Sequence, residues 1–177
     1  LKMNQSDEKA LLSSSKYKAY ADEVQSALDL YEKSKEWADL IKWLQRLSKV
    51  LTKHSFSIIP HKLILSRRLA QCLNPTLPSG VHLKALETYG LIFEKIKGQL
   101  AADLGIYSLG IFPLFQSGAT NVKAKILDTY ETYYLPLRFE LTPCLSGFVT
   151  SLLPGLEDET SEFYGRVLTM LDSTCSA

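Results

Sequence analysis

The chain has 177 residues, of which 46% are hydrophobic and 22% are charged, and its formal net charge is +1. This length and composition are ordinary for a globular protein that buries a sizeable core. No apolar run approaches the ~18 residues of a membrane span, and the polar first residues predict that no signal peptide is present. Three widely separated cysteines, Cys72, Cys144 and Cys175, indicate neither a disulfide framework nor a zinc site, and they favour a reducing, cytosolic setting.

Apolar residues recur at steps of three and four along most of the chain, which is the pattern of amphipathic helices. The stripe of Tyr17, Tyr20, Val24, Leu28 and Tyr31 is one example. No hairpin signal and no sustained β-branched alternation is present in the sequence. The pattern therefore predicts eight helices, at residues 17–31, 37–51, 61–73, 81–97, 100–115, 122–133, 139–153 and 163–171.

Turn-forming residues separate several of these helices. Residues 74–80 contain two prolines and one glycine and predict a turn, with Ser79 as the cap of the next helix. Pro60 is expected at the first position of the third helix, and Pro143 is expected near the first turn of the seventh.

The eight helices group into antiparallel pairs of about 40 residues, which is the period of HEAT and armadillo-type repeats. We therefore predict an all-α fold, a right-handed α-solenoid of about four antiparallel helix pairs, with an irregular helical bundle as the alternative. The pairs would span residues 14–53, 60–97, 99–134 and 138–174.

One domain accounts for the whole pattern. Residues 14–177 are expected to form a single helical-repeat domain, the amino-terminal fragment of a longer protein. Residues 1–13 are expected to be disordered or derived from an expression vector. Because internal repeats lack polar capping faces, we also expect an exposed apolar side near residues 167–171.

Charge is distributed unevenly along the sequence. Residues 40–86 contain no aspartate or glutamate, but they include eight basic side chains and all three histidines. This window carries a formal charge of +8, and the rest of the chain carries −7. Such a separation predicts that one face attracts phosphates or acidic protein surfaces.

Four basic residues of this window share one face of the second predicted helix, because their spacings are four, three and four. Three more follow in or near the third predicted helix. The candidate partner- or lipid-binding residues are therefore Lys42, Arg46, Lys49, Lys53, Lys62, Arg67 and Arg68. The alternative is that this face is only solvated.

Two classes of partner fit such a face. Anionic lipid headgroups would be held by roughly 1 kcal/mol per basic residue near a membrane, and salt would screen that attraction. Acidic protein surfaces would gain specificity and association rate from the same charges. Nucleic acid is not expected, because the aromatic residues follow core stripes and do not alternate with the basic residues.

Other polar residues of the window have structural interpretations. We expect one of Arg67 and Arg68 to brace a neighbouring helix through a carboxylate or helix carbonyl groups. His61 is interpreted as a capping or surface histidine, His82 as a core histidine, and Cys72 and Cys144 as small core fillers.

The sequence contains no local signature of catalysis. It has no GxSxG elbow and no glycine-rich phosphate loop, and no carboxylate or cysteine stands at metal-ligand spacing from a histidine. We therefore predict no catalytic residues, no cofactor and no metal. An enzyme whose site is assembled from unrecognised residues is the weakest hypothesis.

Four stretches together resemble the amino-terminal domain of the Dopey family. The longest is residues 66–89, SRRLAQCLNPTLPSGVHLKALETY, with its two prolines and glycine in place. The others are EWADLI at 36–41, YLPL at 134–137 and LLPGLE at 152–157. They occur in the family's order and span nearly the whole chain.

The resemblance implies a function that composition and periodicity do not address. Dopey proteins are large peripheral proteins of Golgi and endosomal membranes, so it implies a cytosolic, non-enzymatic scaffold in endosome-to-Golgi protein transport. It also implies three protein partners: a large Golgi scaffold related to Arf exchange factors, a phospholipid-flipping ATPase and, in some animal members, kinesin light chain. The family brings no catalytic residue set and no cofactor.

Overall fold

A computed structural model describes residues 11–34 and 36–175, and all the regular structure in that part of the chain is helical. The predicted all-α class is therefore confirmed. Short helical segments of other types lie at Lys97–Gln99, Tyr130–Tyr134, Leu135–Cys144 and Leu153–Leu156. The α-helices are α1 Ser15–Tyr31, α2 Trp37–Lys53, α3 Lys62–Gln71, α4 Ser79–Ile96, α5 Leu100–Ile111, α6 Leu114–Ser117, α7 Thr120–Thr129, α8 Leu145–Leu152 and α9 Tyr164–Cys175.

The first two helices begin at capping residues that the sequence supplies. The Ser14 hydroxyl accepts a hydrogen bond from the Tyr17 N–H at 3.2 Å, which satisfies a donor in the first turn of α1. At the start of α2, the Asp39 carboxylate accepts from the Glu36 N–H at 3.4 Å. A carboxylate in this first turn also suits the positive end of the helix dipole.

The helices α1 to α4 lie close to their predicted ranges, but two starting points differ. His61 has a left-handed backbone conformation with φ 54°, so α3 begins one residue later and Pro60 lies outside it. Pro78 occupies the capping position of α4, and Ser79 is the first helical residue and not the cap.

The helix predicted at residues 100–115 is divided at Pro113. The helix α5 ends at Ile111, and the four-residue α6 begins at Leu114. Proline has no N–H to donate to the preceding turn, so the helical hydrogen-bond ladder is interrupted there. The run is apolar on both sides of the break, and for this reason periodicity alone did not indicate it.

The helix predicted at residues 139–153 begins only at Leu145. Before it, Leu135–Cys144 forms tight 3₁₀-type turns around Arg138, whose backbone lies at φ 50°, ψ −119°. Pro143 removes one N–H donor and disfavours helical geometry at the residue before it. The predicted position of Pro143 within the first turn of a regular helix was therefore wrong.

Two pairs of helices that are two apart in the chain, α2 with α4 and α3 with α5, pack side by side in parallel. The Ser48 and Thr88 hydroxyls, 40 residues apart, meet at 3.2 Å between α2 and α4. The contact of α3 with α5 joins residues 41 apart. An ion pair of Asp128 in α7 with Arg166 in α9 joins residues 38 apart. The contacts thus recur at nearly the same separation that the sequence predicted for one repeat.

Gly110 shows how closely two of these helices approach. A Cβ atom added to Gly110 would lie 2.7 Å from the Ala70 Cα, so only glycine fits this crossing of α3 and α5. Glycine is the residue that allows such a close approach, because it has no Cβ atom.

The apolar side expected near residues 167–171 is exposed only in part. Leu168 is 49% exposed, but Val167 and Met170 are buried against the rest of the domain. A more exposed apolar side chain lies in the 3₁₀ segment Leu135–Cys144, where Phe139 is 77% exposed.

Two further expectations concern the chain as a whole. Most of the predicted irregular start, residues 1–13, falls on residues 1–10, which lie outside the described residues. Within the described part, no helix is long and apolar enough to cross a bilayer.

Candidate functional site

The four basic residues of α2 lie on its solvent face, as their spacing predicted. Lys42, Arg46, Lys49 and Lys53 are all exposed. The opposite side of α2 is buried in the core through Trp43, Leu44, Leu47, Val50 and Leu51. The burial of that side holds α2 in place and fixes the direction in which the cations point.

Shallow grooves flank this face. We call the largest one beside α1 the α1–α2 groove; it has a volume of about 540 Å³ and lies between the end of α1 and the first three turns of α2. Its lining consists of Leu30, Lys33, Ser34, Asp39, Lys42, Trp43, Gln45, Arg46 and Lys49.

Two more grooves continue along α2. One of about 360 Å³, between α1 and α2, includes Asp22, Glu23 and Lys53 in its lining. The other, of about 720 Å³, lies between α2 and α4 and includes Lys53 and Lys84. Both therefore mix cations with carboxylates or with neutral polar side chains.

Four basic residues of the 40–86 window form ion pairs, and we call them the paired cations. They are joined to carboxylates that lie outside the window in sequence. Lys53 pairs with Glu23 at 2.6 Å, Lys62 with Asp103 at 2.7 Å, Lys84 with Glu87 at 2.7 Å, and Arg68 with Glu32. The fold therefore returns negative charge to a stretch of sequence that has none.

Three cations of the α2 face form no such pair. Lys42, Arg46 and Lys49, which we call the open row, have no ion-pair partner among the described residues. They all line the α1–α2 groove. Their charge is thus available to a partner, which is a distinction that the sequence did not make.

The predicted set of seven candidates is not one surface. Lys62 lies at the contact of α3 with α5, and Arg68 lies against the end of α1. Arg67 is exposed on α3. Among the described residues, these three line none of the grooves beside α2.

Comparison with known proteins identifies the family. The family model "Dopey, N-terminal" matches residues 14–177. The chain belongs to the Dopey family. The resemblance predicted from residues 66–89 and the shorter stretches is confirmed.

Relatives of this Dopey domain come from animals and fungi. It is 50% identical to "Protein DOP1B" of Mus musculus over 167 residues, 93% of this chain and 7% of the relative. It is 44% identical to "Protein DOP1 homolog" of Drosophila melanogaster over 97% of this chain and 7% of the relative. Identity to "Protein DOP1" of Saccharomyces cerevisiae is 35% over 90% of this chain and 10% of the relative. The chain thus spans a tenth or less of these relatives, and no solved structure matches it.

Arg68 has the bracing role that was expected of one arginine in the 66–89 stretch. Besides its ion pair with Glu32, it donates to the Gln71 side chain at 3.0 Å and lies 5.0 Å from the centre of the Tyr31 ring. Burial raises the pKa of Tyr31 to about 12, and the Arg68 charge opposes that rise. Arg68 therefore joins the last turn of α3 to the end of α1.

Lys95 is a structural cation that the sequence analysis missed. Its ammonium group donates to the Leu51 carbonyl at 2.8 Å and to the His54 carbonyl, so it satisfies acceptors at the end of α2. Burial lowers the pKa of Lys95 from its ordinary value. No sequence signal could have identified it, because its partners are 44 and 41 residues away.

Glu23 connects the end of α2 to α1 on the other side. Its hydrogen bond with Lys53 is the main cause of a lowered Glu23 pKa, and contact with His54 adds to the effect while partial burial opposes it. His54 Nε2 lies 3.4 Å from the second carboxylate oxygen of Glu23. The Glu23 carboxylate thus neutralises the charge of Lys53.

The interpretations of His61, His82 and Cys72 agree with the structure, whereas Cys144 is only partly buried. His82 is buried, and its Nε2 lies 2.8 Å from the Asn74 carbonyl oxygen. His61 is exposed. Cys72 is fully buried, which raises the pKa of its thiol to about 12. Within the described residues, no group of three or more potential metal ligands is found.

Proposed function

We propose that this chain is a non-enzymatic scaffold domain of a Dopey-type protein that acts in endosome–Golgi membrane trafficking. Its task would be to bind protein partners through a helical-repeat surface. Family membership supports this assignment. The matched segment covers 7% of the Mus musculus relative and 10% of the Saccharomyces cerevisiae relative. A peripheral location on Golgi and endosomal membranes, with the domain in the cytosol, is part of the same proposal.

We also propose that the helices form a right-handed α-solenoid of about four pairs. The packing of α2 on α4 and of α3 on α5 supports it, because these contacts join residues 40 and 41 apart. Stacked repeats of this kind present long surfaces whose outer residues are free to vary, which suits a scaffold.

The candidate partners follow from the family. They are a Golgi scaffold related to Arf exchange factors, a phospholipid flippase and kinesin light chain. The observation that carries the proposal of a binding surface is the open row, because three neighbouring cations without an internal partner stand on a rigid helix. Cations that serve only solubility need no such clustering.

Binding of purified candidate partners tests this function. The unchanged chain and a variant with Lys42→Glu, Arg46→Glu and Lys49→Glu are immobilised separately, and each candidate partner is applied to both. We expect at least one candidate to bind the unchanged domain and to bind the variant more weakly. If no candidate binds a domain that is shown by circular dichroism to be folded, the scaffold proposal is wrong.

The alternative function is membrane recruitment through the basic face. The open row supports it as well, since phosphoinositide headgroups are anionic and each exposed cation near such a membrane contributes about 1 kcal/mol. Sedimentation with neutral vesicles and with phosphoinositide-containing vesicles separates the two functions. Direct binding to membranes would be favoured if the chain bound only the phosphoinositide-containing vesicles, if salt weakened that binding, and if the charge-reversed variant did not bind.

A further inference from the structure

We propose that the α1–α2 groove is a docking site for an acidic peptide segment that carries a hydrophobic side chain. The segment would belong to a partner protein. This inference rests on the proposed scaffold function and adds the class of partner and the place where it binds.

Charge is the first reason. The lining contains Lys33 and the open row against a single carboxylate, that of Asp39. None of these four cations forms an ion pair with a described residue. The groove therefore keeps a positive excess that an acidic ligand can neutralise, whereas the paired cations have already been neutralised.

The spacing of the cations is the second reason. Lys42, Arg46 and Lys49 are four and three residues apart on one helix, so they rise by about 10 Å along the groove. Carboxylates at the same spacing on a short amphipathic helix would face all three cations at once. A helix of about two to three turns would fill the length of the groove.

The apolar part of the lining explains why the ligand needs more than charge. Leu30 is 38% exposed at the wall of the groove. Trp43 forms the buried floor, where its indole N–H donates to the Ala27 carbonyl at 2.7 Å. Trp43 is only 3% exposed, so Leu30 supplies most of the apolar surface that a ligand can contact. Tyr31 packs edge-on against the Trp43 ring at 4.9 Å and holds it in place.

The flanks of the groove favour a protein segment over a membrane. Asp39 lies within the groove, and Asp22 lines the neighbouring groove along the same helices, where the other carboxylate, Glu23, is paired with Lys53. A broad anionic surface would meet these carboxylates together with the open row. A narrow peptide lying between α1 and α2 would meet the cations and avoid most of the carboxylates.

Selection from a display library of random 16-residue peptides tests the proposal without a known partner. The bait is the 177-residue chain. We expect the enriched peptides to contain an excess of Asp and Glu together with a Leu, Ile, Met or Phe. The most enriched peptide is then synthesised with a fluorescent label, and its affinity is measured by anisotropy at two salt concentrations.

Three variants locate the binding. The change of Lys42, Arg46 and Lys49 to glutamine should weaken binding by about tenfold or more, since it removes three charges that would pair with carboxylates of the peptide. Leu30→Ser should weaken it by a smaller factor at both salt concentrations. A control variant has Lys16→Gln, Lys18→Gln and Arg67→Gln, which makes the same change in net charge elsewhere on the exposed surface and should bind like the unchanged chain.

Several results would overturn the inference. They are enriched peptides without an acidic excess, equal losses in the open-row and control variants, or no loss with Leu30→Ser. Stronger competition by phosphoinositide vesicles than by unlabelled peptide would assign the groove to membranes instead. Failure of this docking site can be distinguished from failure of the scaffold function. A trafficking partner that binds the open-row and Leu30→Ser variants as well as the unchanged chain would rule out this site but leave the scaffold function in place.

Discussion

The paired cations and the open row come from the same stretch of sequence, but they differ in their surroundings. Each paired cation contacts a carboxylate, and in three of the four pairs that carboxylate belongs to a different helix or helix end. The open row lies on one helix and faces a groove. The difference shows that the +8 charge of residues 40–86 overstates what a partner meets. Only the cations left unpaired by the fold retain their full attraction.

Three of the four paired cations, Lys53, Lys62 and Arg68, join neighbouring helices, and the open row does not. The surfaces between stacked helices should therefore determine stability, whereas the open row should determine binding. The predictions below test this division, beginning with the buried stacking surfaces and ending with the exposed cations.

Alkaline pH should have the largest effect. Burial raises the pKa of Tyr89, Tyr107 and Tyr130 above the ordinary value of 10.0. Because the folded chain binds these protons more tightly than the unfolded chain, their contribution to stability is fully present below pH 10 and is lost as the pH rises towards the folded pKa values. Above pH 10, we expect these buried tyrosines to ionise, as followed by tyrosinate absorbance, only as the chain loses its helical circular dichroism signal. Ionisation of all tyrosines before unfolding would contradict the burial of these hydroxyls.

Substitution of Gly110 should have the next largest effect. The added Cβ of Gly110→Ala would lie 2.7 Å from the Ala70 backbone, so α3 and α5 must separate. We expect the free energy of unfolding in urea to fall by about 1–3 kcal/mol, the usual cost of overpacking. Gly80→Ala is the matched control, since nothing lies within 4 Å of its added Cβ, and it should stabilise α4 by up to ~1 kcal/mol. Equal effects of the two changes would argue against the α3–α5 approach.

Removal of Arg68 should have a smaller effect. Arg68→Ala loses the ion pair with Glu32 and the contact with the Tyr31 ring, and we expect a loss of about 1 kcal/mol in thermal or urea unfolding. Arg68→Lys should recover only part of this loss, because lysine lacks the planar guanidinium group. Arg67→Ala should change the unfolding free energy little. A larger effect at Arg67 than at Arg68 would reverse the assignment of the bracing residue.

Periodicity predicted the regular helices because their apolar stripes are long and uninterrupted. The ranges of α1 to α4 were predicted to within a few residues. Trp37 is an apolar residue at the start of the predicted second helix, but it is 53% exposed at the first position of α2. Periodicity failed at Pro113 and around Arg138, where proline chemistry outweighs the hydrophobic pattern.

The candidate site was predictable in part. Spacing along one helix placed Lys42 and Lys49 on a common face, since only the helical period was required. The pairing of Lys53 with Glu23 and of Lys62 with Asp103 depends on contacts 30 and 41 residues apart. Sequence separation of that size carries no signal in a single chain. The groove beside α1 was likewise not predictable, because it arises from the packing of two helices.

One paired measurement tests the division between stability and binding most directly. The urea unfolding free energy and the affinity for the selected acidic peptide are measured for the open-row variant and for a paired-cation variant with Lys62→Gln and Arg68→Gln. The account predicts a crossed result: the open-row variant keeps its unfolding free energy within about 0.5 kcal/mol and loses binding, and the paired-cation variant is less stable but binds normally while folded. An open-row variant that loses stability and keeps its affinity would contradict the account.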